Sequence, residues 1–103
     1  IRAAVANWSK TMANELASFQ ITVNNVLPGA THTQRLQSIM ETKSANTKTD
    51  FDEVQQEMIN EIPMKRFAKP EEVANAIAFL ASPSASYITG INIPVDGGRT
   101  GSL

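Results

Sequence analysis

Pro28 and Gly29 follow the apolar residues Ile21, Val23, Val26 and Leu27 and precede two hydroxyls, Thr31 and Thr33. Proline keeps a strand from continuing, and glycine, with no side chain, lets another group approach backbone closely. The pattern suits a buried strand that ends against a ligand, with the hydroxyls as donors and acceptors. Without its surroundings, Pro-Gly is an ordinary turn signal. The other residues able to do chemistry are scattered. His32 is the single histidine and has no carboxylate or thiolate companion at ligand spacing, so no metal is expected there. Glu71 and Glu72 directly follow Pro70 and read as partners of a helix dipole, not as an acid/base pair. Arg2 stands near the beginning of a helical pattern, where a lone charge is normally solvated.

The elements that would position these residues alternate along the chain. From Arg2 to Phe19 the apolar residues Val5, Trp8, Met12, Leu16 and Phe19 recur at spacings of three and four, one stripe of a helix. Trp8 and Met12 are expected in the core on that spacing. Ala3, Ala4, Ala6, Ala13 and Ala17 keep the rest of the helix small, and a contact with another helix is expected. The run from Ile21 to Leu27 is β-branched and nearly continuous, as in strands of parallel sheets.

Residues 34–62 are polar, and Thr42 to Asp50 is almost devoid of large apolar side chains. Two short helices, Gln34 to Glu41 and Phe51 to Ile62, joined by a mobile loop, are expected there. An insert of that length in a compact domain is more often a lid than a plain connection. Pro70 opens a further helix whose buried face is Val73, Ala76, Ile77 and Leu80, and Ser82-Pro83 ends it. Ile91, Ile93 and Val95 alternate with Asn92 and Pro94, a strand whose proline places it at a sheet edge.

The bulk numbers exclude several classes. The chain has 103 residues, 42% hydrophobic and 18% charged, which is ordinary for a globular protein. A net charge of −1 offers no field for nucleic acid or anionic lipid. There are no cysteines, which removes disulfides and thiolate chemistry and leans toward a cytoplasmic setting. No apolar run approaches the ~20 residues of a membrane span. The sequence starts at Ile1 inside a helical pattern, with no initiator Met, N-cap or signal architecture, and the expectation is that a larger protein precedes it.

Arg2 to Leu16, then Asn24 to Gly29 as N-x-x-x-P-G, then Ile62-Pro63 through Arg66 to Pro70-Glu71-Glu72-Val73-Ala74, and finally Phe79 to Ser82, Tyr87 to Gly90 and Val95-Asp96-Gly97-Gly98, together resemble the C-terminal part of a short-chain dehydrogenase/reductase. The branch most similar is that of 3-oxoacyl-carrier-protein reductases. The resemblance implies an α/β fold, the C-terminal portion of a Rossmann-type doubly wound parallel sheet. Residues 1–103 would be the C-terminal fragment of a single such domain, with a substrate lid at about 34–62.

The resemblance also implies NAD or NADP as cofactor, a small carbonyl or alcohol as substrate, and a homo-oligomer, commonly a tetramer. No nucleic-acid or membrane partner is implied. Pro28 and Gly29 would face the nicotinamide, the Thr31 backbone would bind its carboxamide, and the Thr33 hydroxyl would contact the carboxamide or pyrophosphate side. The family usually carries Val or Ile where Thr31 stands.

Arg2 falls where the family has its catalytic Lys, with the motif Tyr four residues ahead of it. It would hold the ribose and lower the tyrosine pKa. A guanidinium ~4 Å away supplies up to about 4 kcal/mol of attraction for a tyrosinate at an effective dielectric near 20. Arginine stays protonated and presents a planar fork, so it neither relays a proton nor copies an ammonium. Two readings follow: a nicotinamide-dependent oxidoreductase whose fragment alone is inactive, or a non-catalytic relative serving as a ligand-binding or oligomeric module.

Overall fold

The structure, a computed structural model, describes residues 2–101, with side chains from residue 3 onward. A helix α1 (Arg2–Leu16) runs through a short 3-10 turn (Ala17–Phe19) and a left-handed Gln20 into strand β1 (Asn25–Pro28). Three helices follow, α2 (Gln34–Thr47), α3 (Phe51–Asn60) and α4 (Pro70–Leu80), before strand β2 (Asn92–Val95). The strands pair in parallel, with Asn25 opposite Asn92 and Pro28 opposite Val95. Parallel neighbours require a crossover, and α4, which packs on both strands, is its last part.

Pro70 starts α4 as expected: its missing N–H lies where a helix has no partner to offer, and the Glu72 carboxylate accepts from the Lys69 N–H at 2.9 Å. Leu80 is buried and Val73 and Ala76 partly so, but Ile77 is 53% exposed and departs from the expected inner face.

The α1 stripe also departs from expectation. Trp8 is 62% exposed and Phe19 70%, while Ser9 and Ala13 are buried. The contact face is turned about a quarter of the helix circumference from the apolar stripe. Only small side chains permit the close approach seen there, in which the Ser9 hydroxyl donates to Asn25 Oδ1 at 3.1 Å. Ser9 and Ala13 thus face Asn25 and the Gly90 loop, while Ala3, Ala4 and Ala17 remain exposed.

The largest correction concerns the insert. Helix α2 continues through Thr42 to Thr47, and the joint before α3 is only residues 48–50. Thr33 caps α2, its hydroxyl accepting from the Leu36 N–H at 3.2 Å, and Lys48 ends it with φ 53°. Helical propensity carries the polar stretch, since one buried face is enough. That face supplies the buried cluster of the chain: Leu36, Met40, Val54, Ile62 and Phe67, with Ala30, Phe51, Met58 and Ile59 packed around it. The largest buried cluster among the described residues therefore lies in the insert, with Ala13, Leu80 and Ala85 buried separately.

Candidate functional site

Strand β1 ends at Pro28, and the Gly29 N–H donates to Val95 O at 2.9 Å, which carries the parallel pairing one residue further. A Cβ on Gly29 would stand 2.8 Å from Asp96 Cα and Cβ. Glycine is therefore required where the two chain segments cross, and the space its side chain would take is filled by Asp96. The Asp96 carboxyl is held below its ordinary range by hydrogen bonds from the Thr100 hydroxyl and the Gly98 and Thr100 N–H groups. It stiffens the turn that supports Gly29.

The beginning of α1 arrives at the same place. Ala3 and Ala6 share an open cleft of about 550 Å³ with Leu27, Pro28 and Gly29, lined further by Asn92, Asp96, Arg99 and Thr100. The first turn of α1 therefore lies beside the end of β1. The side chain of Arg2, named above as catalytic and cofactor-binding, lies outside the described residues, but its backbone opens the helix that forms this wall.

Beyond Gly29 the chain bends at Ala30. The Thr31 hydroxyl donates to Gly29 O at 3.0 Å, and Thr31 pairs with Ala68 as an isolated parallel bridge. In that bridge His32 N–H donates to Ala68 O at 2.8 Å and Ala68 N–H to Ala30 O at 3.0 Å. A parallel bridge of this kind directs the N–H and C=O of Thr31 itself away from Ala68. It also clasps together the two feet of the helical insert. Pro28, Gly29, Thr31 and Thr33 follow one another along this short segment between β1 and α2, and His32 is exposed.

A second cleft of about 390 Å³ lies between the end of the insert and the Pro94–Gly98 segment. Its charged groups are already engaged. Arg66 makes a two-point contact with Glu72, at 2.6 and 2.9 Å, which lowers the Glu72 pKa to about 2, with help from the Lys69 N–H. Gly97, at φ 65°, sits against Ile62, and its carbonyl accepts from the Met64 N–H at 3.1 Å, so this region fastens the insert to the turn after β2.

Compared with known proteins, residues 1–100 match the family model described as enoyl-(acyl carrier protein) reductase. A solved short chain dehydrogenase family protein from Francisella tularensis superposes with a TM-score of 0.91 at 37% identity, over 97% of this chain and 41% of that one. This chain belongs to the short-chain dehydrogenase/reductases.

Among other members, a 3-oxoacyl-acyl-carrier-protein reductase of Staphylococcus epidermidis is 42% identical over 97 residues, 94% of this chain and 35% of its own length. The NADPH-dependent reductase BacG of Bacillus subtilis is 39% identical over 103 residues, 100% of this chain and 40% of its own. The chain thus spans well under half of the curated relatives it matches. Within the short-chain dehydrogenase/reductase fold, the parallel pair and its flanking helices are the C-terminal portion of a Rossmann-type doubly wound sheet.

Two features of this short-chain dehydrogenase/reductase site carry little sequence signal. Asn24 donates through Nδ2 to Ile88 O and accepts from Ile91 N–H, at 3.0 and 3.2 Å, fixing the segment that leads into β2. Its place in N-x-x-x-P-G marks it in the sequence, but not its partners, which lie more than sixty residues away. Ser9 and Asn25 belong to no motif, and only their contact reveals them.

Proposed function

We propose that this chain is part of an NAD- or NADP-dependent oxidoreductase acting on a small carbonyl or alcohol, with 3-oxoacyl thioesters as the first substrate class to try. The meeting of the α1 start with the Pro28–Gly29 turn, at the C-terminal end of a parallel strand, is the observation that carries this reading. Open α/β sheets bind dinucleotides outside those strand ends. The names of the Staphylococcus epidermidis and Bacillus subtilis relatives support the chemistry.

The residues present fit a nicotinamide. Its carboxamide offers one acceptor and a pair of donors, which the outward N–H and C=O of Thr31 can match. The Thr33 hydroxyl accepts from Leu36 N–H and retains its own proton to donate toward the carboxamide or pyrophosphate. Pro28 and Gly29 form the wall against the ring, and Arg2 holds the ribose while its charge stabilises the phenolate of the motif tyrosine. When bound, the dinucleotide supplies or accepts the hydride. The insert formed by α2 and α3 is the substrate lid. The working form is a cytoplasmic homo-oligomer, a tetramer by resemblance, and the 103-residue chain alone is inactive.

The test is turnover by the intact protein, followed through the near-ultraviolet absorbance of reduced nicotinamide with 3-oxoacyl thioesters and simple ketones. Arg2→Ala is expected to lower kcat at least about a hundredfold, and Arg2→Lys to keep or raise it. Dinucleotide binding without turnover on any substrate would instead favour the non-catalytic relative.

A further inference from the structure

Ser9 is the one buried polar residue among the described side chains, 5% exposed in the middle of α1. Its hydroxyl donates to Asn25 Oδ1 at 3.1 Å, and the other end of the same amide, Nδ2, donates to Asn92 Oδ1 at 2.8 Å. Asn25 and Asn92 are also the first matched pair of the parallel register. One side chain therefore links α1, β1 and β2 at a single level of the fold.

That level is two helical turns below the site. Arg2 precedes Ser9 by seven residues, about 10 Å along the axis and nearly the same helix face. Gly29 follows Asn25 by four residues, about 13 Å along the strand. The helix and strand run in opposite directions, as the successive contacts of Ser9 with Asn25 and of Ala3 with the Pro28–Gly29 cleft require. The two arms above the Ser9–Asn25 bond are therefore of similar length and end side by side. The inward face of α1 around that bond is Ala6 and Ala13, with Met12 and Leu16 half-buried beside them. Among the described residues the one other side-chain hydrogen bond from α1 to the rest of the fold is the exposed one from Lys10 Nζ to Gly90 O at 3.3 Å, so Ser9–Asn25 is the buried polar contact that sets the height of the helix.

We propose that Ser9 and Asn25 are positioning residues for the dinucleotide site: their hydrogen bond sets how far along β1 the helix start reaches, and so where Arg2 stands relative to Pro28–Gly29. This rests on the proposed nicotinamide function. Loss of the bond allows α1 to shift on β1 while the fold persists, and displacements near 1 Å at such sites are costly.

The experiment measures the dissociation constant of reduced dinucleotide by its fluorescence, together with Tm and kcat, on the intact protein. Ser9→Ala is expected to weaken binding about tenfold or more, and Ser9→Thr, which keeps the hydroxyl, to restore it to within about twofold. Leu80→Ala, a buried residue on α4 away from this contact, provides a comparable loss of Tm and is expected to leave the dissociation constant unchanged. Ser9→Ala binding like the wild type, or Leu80→Ala weakening binding as much, would overturn the inference while leaving the nicotinamide function in place. A wild-type protein that binds no dinucleotide would overturn both.

Discussion

Glu72 faces three demands at once: it pairs with Arg66, accepts from the Lys69 N–H, and sits in the first turn of α4 where a negative charge is favoured. Its carboxyl titrates near 4.5 when unperturbed and at about 2 in the fold. A lowered carboxylate pKa stabilises the folded state fully above its unfolded value and loses that contribution as pH falls through the folded one. Because the pair is substantially solvated, the effect is modest. The urea midpoint of Glu72→Gln is expected to lie below that of the wild type at about pH 6, with the gap narrowing by about pH 3. An unchanged gap would show that the charge is not what Glu72 contributes. Glu72 was readable as a helix-dipole partner from Pro70-Glu71-Glu72 alone, whereas the pairing with Arg66 was not. Gly29 shows the reverse case: the need for glycine was legible, but its cause is Asp96 behind the turn, which no local pattern reveals.

Helices α2 and α3 carry the largest fully buried side chains among the described residues, Met40 and Val54, each 1% exposed. Met40→Ala is expected to cost about 2–5 kcal/mol in the stability of this helical pair. Hydrogen exchange should show faster exchange in α2 and α3, with β1 and β2 less affected. Equal acceleration in both regions would mean that insert and sheet open as one unit. At this scale the alternation of helix and strand was legible, because proline, glycine and apolar period mark the ends of α4, β1 and β2. The length of α2 was not, because Thr42 to Thr47 lacks large apolar residues and is helical through propensity and one shared face. Its partner face was visible in Phe51, Val54, Met58 and Ile62, at spacings of three and four, but composition obscured it.

The whole chain is more open than its size implies. An 11.2 kDa folded monomer exposes roughly 5,700 Å², against 7598 Å² here. Its radius of gyration is 16.9 Å, compared with about 13 Å for a compact domain of this length. The excess includes Trp8, Phe19 and Ile21 on one side and Ile77, Phe79 and Tyr87 elsewhere. Such a surface is normally covered by further protein. The 103-residue chain alone is expected to unfold gradually in urea, with far-ultraviolet circular dichroism and Trp8 fluorescence giving different midpoints. A single sharp transition by both probes would contradict this. The parallel order of β1 and β2 was legible from the continuous apolar run, but the misplaced α1 stripe was not, because the sequence pattern does not say which neighbour each face meets.

The clasp between Thr31 and Ala68 brings the two ends of the helical excursion to adjacent points. With its own cluster of apolar side chains inside, that excursion is built like a cartridge. Homologous segments could be exchanged at these two positions without disturbing the sheet, provided the docking points at Ala30 and Gly97 are retained.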